Sequence, residues 1–360
     1  MYRNSYVEVD LDKLKYNADY FRKRSNKTII GVIKADGYGL VDYMTATALK
    51  QIGIDFFAVS SLDEALGLRN HGINDKILIL GQVPLEYMDI VRKQDLRIVT
   101  VSKDYVSQAE LKDIKVHLKL NTGMNRIGIE PDEAEEVLAI LKEKGADVEG
   151  VMSHFSSADS DLQYSLKQYQ IFKDCVSSLD HEFRYIHMAA TDASLVINDD
   201  ICNAQRIGLG LLGYSSFESE LKPCIGLYSE AVACKQLKAG DCVSYGRIYT
   251  SDGKGYILTL PIGYADGFFR SNTDKKVFVE NEYGTIVGRI CMDQLMVHTD
   301  HFHPAGSKVE LYGPHIDVSQ RAKELGTITY ELFTSLSDRL NRVYLENGEV
   351  IKVITPRIDK

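Results

Sequence analysis

The stretch Thr28-Ile29-Ile30-Gly31-Val32-Ile33-Lys34-Ala35-Asp36-Gly37-Tyr38-Gly39 decides how this chain folds. An apolar run rich in β-branched residues reads as a buried strand, and it stops at a cation followed by two glycines. A lysine at the carboxyl end of a first strand is placed for chemistry rather than for solvation. Its amine can form a Schiff base where a dry pocket lowers its pKa.

Comparable apolar runs recur at residues 55–60, 77–80, 97–101, 116–120, 148–153, 184–187 and 205–209. Amphipathic stretches separate them, such as 131–145, whose acidic start and basic finish match a helix dipole. Eight strand candidates alternating with helices predict an α/β fold, a parallel (β/α)8 TIM barrel. Beyond Lys222-Pro223 the residues become rich in Val, Ile and Tyr and are broken by glycine turns, with little helix signal before Arg321. The expected organisation is a barrel over 1–222 followed by a mostly β C-terminal domain over 223–360.

Composition narrows the function. A chain of 360 residues with 44% apolar and 26% charged residues suits a globular protein of more than one domain. The net charge of −9 argues against nucleic acid and anionic membranes as partners. Met1-Tyr2-Arg3-Asn4-Ser5-Tyr6 carries no apolar secretory core, and no run approaches the ~20 apolar residues of a membrane helix. Cysteines 175, 202, 224, 234, 242 and 291 show no Cys-x-x-Cys or metal spacing, so reduced thiols, no metal site and a cytoplasmic location are expected.

In such a barrel functional groups belong at the carboxyl ends of the strands. Those ends supply Lys34 after the first, Lys119 and Arg126 after the fifth, and His154 after the sixth. His187 and Thr191 follow at the seventh, and Arg206 with Gly208 at the eighth. Each alone could be a satisfied structural polar group; their convergence on one rim marks a site.

Seven blocks along the chain then carry a resemblance. They are Val32-Ile33-Lys34-Ala35-Asp36-Gly37-Tyr38-Gly39, Leu118-Lys119-Leu120-Asn121-Thr122-Gly123-Met124-Asn125-Arg126-Ile127-Gly128, Ser153-His154-Phe155, Arg206-Ile207-Gly208, Pro261-Ile262-Gly263-Tyr264-Ala265-Asp266-Gly267, Gly288-Arg289-Ile290-Cys291-Met292-Asp293-Gln294 and Thr329-Tyr330-Glu331. In this order the chain resembles the alanine racemases, fold-type III enzymes dependent on pyridoxal 5′-phosphate. The resemblance implies a head-to-tail homodimer with shared active sites, acting on a small amino acid. Lys34 would hold the cofactor covalently, and Arg206 would face its pyridine nitrogen. A guanidinium stays protonated and cannot accept a proton from the ring, so the cofactor becomes a weaker electron sink, which suits racemisation.

The resemblance also assigns the remaining roles. Lys34 would serve one face of the substrate Cα and the partner subunit's Tyr264 the other. A tyrosine titrating near ~10 needs cationic neighbours to act as a base. Tyr38, His154, Thr191, Gly208, Leu209 and Tyr330 join the cofactor-binding set, most of them at its phosphate. Arg126, Met292 and Asp293 would bind the substrate, and Lys119 matches a lysine often carbamylated in the family.

Three departures bear on turnover and substrate preference. Tyr38-Gly39-Leu40-Val41 stands for Tyr-Gly-His-Gly, Ala190-Thr191 for Asn-Ser, and His154-Phe155-Ser156 for His-Phe-Ala. L- and D-alanine interconversion for peptidoglycan is the leading expectation. A serine racemase of the same mechanism is the alternative, differing by about one hydrogen bond, or ~1 kcal/mol. Further readings are a fold-type III decarboxylase, a non-catalytic pyridoxal-phosphate carrier, and a metal-dependent hydrolase using His154, Asp159 and His187.

Overall fold

The computed structural model describes residues 2–217 and 220–359. The chain forms two compact units, one of Leu14–Gly37 and Val41–Lys222, the other of Met1–Lys13, Tyr38–Leu40 and Pro223–Lys360.

The first strand, β1 (Ser5–Asp10), belongs to the second of these. It pairs antiparallel with β10 (Ile225–Glu230) and parallel with β19 (Asn341–Glu346), so Val7 faces both Leu227 and Arg342. The sequence places residues 1–13 with the barrel. The structure gives Ser5–Asp10 to the sheet, because Tyr6, Val7 and Val9 fill a slot between two strands and are buried there.

The barrel unit closes eight parallel strands: β2 (Thr28–Val32), β3 (Phe56–Val59), β4 (Lys76–Ile79), β5 (Arg97–Val99), β6 (Lys115–Lys119), β7 (Asp147–Met152), β8 (Tyr185–His187) and β9 (Ala204–Ile207). Pairing of β2 with β9, from Thr28 opposite Ala204 to Gly31 opposite Ile207, completes the ring. The strand β3 reads Phe-Phe-Ala-Val and is buried at every position, as a strand covered on both faces requires. The intervening helices bury one stripe each. Ala134–Glu143 turns Ala134, Val137, Leu138 and Leu141 inward, with Glu135 and Glu136 in its first turn and Lys142 in its last.

The other unit is mostly β. Its ten-stranded sheet runs β11-β14-β17-β16-β15-β18-β10-β1-β19-β20, and the pair β12 and β13 stands apart from that sheet. Here β11 is Ala233–Lys235, β12 Cys242–Val243, β13 Tyr249–Thr250, β14 Tyr256–Leu260, β15 Lys276–Val279 and β16 Glu282–Val287. The remaining strands are β17 (Leu295–Thr299), β18 (Lys308–Tyr312) and β20 (Glu349–Ile354). Among the described residues no helix is long and apolar enough to cross a membrane, and all six cysteines are free thiols.

Candidate active site

Lys34 opens the helical turn Lys34–Gly39 immediately beyond β2. That turn is left-handed, since Ala35, Asp36, Gly37, Tyr38 and Gly39 have φ of 52°, 56°, 65°, 59° and 85°. For Ala35, Asp36 and Tyr38 this conformation costs about 1–2 kcal/mol each. The turn is held by a Gly37 N–H donating to the Ile33 carbonyl at 2.9 Å. Glu64 anchors it further: its carboxylate accepts from the backbone N–H of Ala35 at 2.7 Å and of Ser60 at 2.6 Å. This role of Glu64 has no signature in the sequence. The Lys34 amine titrates below its ordinary range, first because of burial, then because Arg126 and Arg206 repel its charge, with Glu64 opposing.

Arg206, on β9, is 3% exposed. Its two terminal nitrogens donate to five acceptors. Nη1 reaches His187 Nδ1 at 2.6 Å and the His187 carbonyl at 3.2 Å. Nη2 reaches the Ser153 carbonyl at 2.8 Å, and His154 Nδ1 and the Met188 carbonyl at 2.9 Å. Its Nε makes no hydrogen bond among the described residues. Burial pulls its pKa down to about 10, which leaves it a cation at neutral pH.

Lys119 ends β6, is 5% exposed, and titrates at about 7 because of burial and then of Arg126, Arg206 and Lys34. Arg126 is exposed and makes no hydrogen bond or ion pair among the described residues. His154 stays neutral, held well below its usual range by burial and the same cations. Lys34, Lys119, Arg126 and Arg206 thus form a mutually repelling cluster at the strand ends, a donor set suited to an anion.

Thr191 begins the helical turn Thr191–Val196, and its hydroxyl accepts from the Gly210 N–H at 3.0 Å. Gly208 precedes the 3-10 turn Leu209–Leu212. A Cβ at Gly210 would lie 2.5 Å from the Phe21 ring and 2.9 Å from the Thr191 methyl, so glycine brings this turn against Thr191. Thr191, Gly208 and Leu209 are therefore brought together in the barrel unit. In the other unit Tyr38 and Tyr330 meet, ring centroids 5.8 Å apart.

That second unit also gathers Tyr264, Met292 and Asp293. Tyr264 is exposed on the 3-10 turn Tyr264–Asp266, and its N–H donates to the Cys291 carbonyl at 3.1 Å. The next N–H, of Ala265, donates to the Met292 carbonyl at 3.1 Å. Met292 and Asp293 line a cavity of about 590 Å³ with Ser244, Tyr245 and Cys291. The turn is anchored by fully buried Asp266, which accepts from the Gly263 N–H and from Arg3 Nη1 at 2.6 Å. Arg339 bridges Asp266 and Asp293, at 3.3 and 2.5 Å. Neither Arg3 nor Arg339 stands out in the sequence, because each lies outside the motifs that carry Tyr264 and Asp293.

The hydrolase reading of His154, Asp159 and His187 is corrected here. Both histidines turn Nδ1 to the Arg206 cation, Asp159 is exposed, and no group of three metal-binding side chains occurs among the described residues.

A closed barrel with a cation cluster at its strand ends, followed in the chain by a β-sheet unit, defines a two-unit α/β barrel protein whose strand ends suit an anionic group. Comparison with known proteins makes the class specific. The family model for the alanine racemase N-terminal domain matches residues 9–216, and that for the C-terminal domain matches 224–344. The chain is 38% identical over 372 residues to the alanine racemase of Staphylococcus epidermidis, covering 97% of each chain. It is 35% identical to alanine racemase 1 of Bacillus subtilis, covering 99% of this chain and 96% of that one. The crystal structure of alanine racemase from Bacillus anthracis with bound L-Ala-P has a TM-score of 0.94 at 32% identity, over 100% of both chains. That from Enterococcus faecalis gives 0.91 at 33% identity, over 95% of this chain and 98% of the other. The chain belongs to the alanine racemase family, a family of isomerases.

Proposed function

We propose that this protein interconverts L- and D-alanine with pyridoxal 5′-phosphate as cofactor, in active sites shared across a homodimer. The observation that carries this reading is Arg206, a buried cation whose four terminal N–H bonds are engaged and whose Nε is left to donate to a ligand atom. The chemistry of the donor set fits the cofactor. The Arg126 guanidinium suits a carboxylate, the Arg206 guanidinium suits a ring nitrogen, and a lysine amine lowered in pKa suits covalent capture of an aldehyde. When bound, this cofactor acidifies the Cα hydrogen of an amino acid joined to it.

Lys34 would hold the cofactor through its amine and Arg206 would donate to the ring nitrogen, with His154 beside it. Thr191, the backbone of Gly208 and Leu209, Tyr38 and Tyr330 would hold the phosphate. Arg126 would bind the substrate carboxylate, aided by Met292 and Asp293 of the partner subunit. Lys34 Nζ would take the Cα hydrogen on one face, while the partner subunit's Tyr264 gives or takes a proton through its hydroxyl on the other. At about 7, Lys119 presents enough neutral amine to add carbon dioxide, releasing a proton and leaving a carbamate anion beside Arg126. D-alanine made in the cytoplasm would then feed peptidoglycan.

The purified protein should gain an absorbance band near the visible edge with pyridoxal 5′-phosphate, and borohydride should fix the cofactor on the Lys34 peptide. D-Alanine should form from L-alanine faster than D-serine forms from L-serine. No band and no labelled Lys34 would overturn the cofactor assignment, and a clear preference for serine would overturn the substrate.

A further inference from the structure

Beneath the strand-end cluster, the barrel interior holds a second set of titratable side chains. His187 Nε2 lies 2.7 Å from His117 Nδ1, and His117 Nε2 lies 3.3 Å from Glu149 Oε1. The same carboxylate oxygen accepts from Arg97 Nε at 2.7 Å. Arg97, His117, Glu149 and His187 are all buried, with the two histidines wholly inaccessible.

The direction of each hydrogen bond is dictated by the ends of the chain. Arg206 can only donate, so His187 Nδ1 accepts and the His187 proton resides on Nε2. That proton is donated to His117 Nδ1, which places the His117 proton on Nε2, facing Glu149. A guanidinium and a carboxylate thus terminate two neutral imidazoles in matched tautomers. Burial holds both imidazoles below their usual titration range.

Three local features build this chain. The pairing of β6 with β7 runs Val116 to Val148 and then His117 to Gly150, so Glu149 is the extra residue of a β-bulge, a device that re-aims a side chain. Gly150 admits the His117 ring, since a Cβ there would lie 2.5 Å from His117 Nδ1. The Tyr185 ring stacks on His117 at 5.9 Å and 13°, while Phe56 meets it edge-on.

We propose that Glu149 is a positioning residue: through His117 and His187 it holds the Arg206 guanidinium in the orientation that leaves Nε unbonded. The proposal deepens the reading of Arg206 as the cofactor's ring-nitrogen partner and rests on it. Ring-labelled holoenzyme examined by two-bond 1H–15N correlation should show His117 and His187 neutral, each with its proton on Nε2. A protonated His187, or one carrying its proton on Nδ1, overturns the proposal without any substitution.

Glu149→Met should let Arg206 swing away from His187 Nδ1 and so give mixed His187 tautomers, a shifted cofactor absorbance band and a kcat lower by about tenfold. KM for alanine should stay within about threefold, because the carboxylate contact is elsewhere. Glu149→Gln, which keeps an acceptor oxygen, should restore the tautomers and most of kcat. If Glu149→Met does not fold, His117→Phe keeps the ring packing while removing both nitrogens, and the same changes are expected. A folded Glu149→Met or His117→Phe with parental His187 signals and parental kcat overturns the proposal, whatever its thermal stability. A parent with the expected tautomers but no racemisation would instead sink the functional reading.

Discussion

Lys119 concentrates the electrostatics of the site in one amine. Its folded pKa, about 7, lies below the ~10.4 of a solvated lysine, so the folded state binds fewer protons between those values. Stability must then rise with pH across that window, and the destabilising contribution is fully present below it. Thermal melts of the cofactor-free protein in carbon-dioxide-free buffer should show the midpoint climbing from pH 7 towards pH 10. Lys119→Met should raise the midpoint at pH 7 and flatten the climb; parallel curves would show that Lys119 is not strained. At this scale much is legible in the sequence. Lys34, Arg206 and Lys119 announce themselves as cations on or just beyond β-branched runs. The direction of the Arg206 Nε is not legible, because it depends on carbonyls of Ser153, His187 and Met188 that any residue type could supply. Glu149 and His117 escape because a polar residue on a short strand reads as a strand end, and Glu64 because an acidic residue in the first turn of a helix reads as an ordinary partner of the helix dipole.

Elements show where backbone, rather than side chain, sets the site. The Gly37 and Gly39 pair signals a sharp change of direction after β2. Nothing in Ala35, Asp36 or Tyr38 foretells the left-handed turn, which Glu64 and the Ile33 carbonyl hold in place. The Tyr264 turn is built on a close approach. A Cβ at Gly263 would lie 2.3 Å from the Cys291 carbonyl oxygen and 2.4 Å from that of Met292, both backbone atoms. Gly263→Ala should therefore part the Tyr264 turn from Cys291-Met292, at a cost of about 1–3 kcal/mol in urea unfolding. Racemisation should fall while the cofactor band, set in the barrel unit, persists. A variant with parental unfolding midpoint and activity would show that the clamp does not position Tyr264.

The whole molecule is legible in outline, since all eight barrel strands follow the apolar runs and the residues beyond the barrel are mostly β. The amino-terminal strand is not. Within Ser5–Asp10 only Val7–Asp10 alternates apolar and polar residues, a pattern that would serve either unit, and the strand's partners at Leu227 and Arg342 are remote in sequence. The proposed function makes its strongest claim at this scale, that one active site draws Lys34 and Tyr264 from two different subunits. Mixing the inactive variants Lys34→Ala and Tyr264→Phe after dissociation tests it directly. Half of the re-formed dimers would be mixed, each with one intact site, so about a quarter of parental alanine racemisation should return. Mixed dimers that form and yet regain no activity would contradict the shared site.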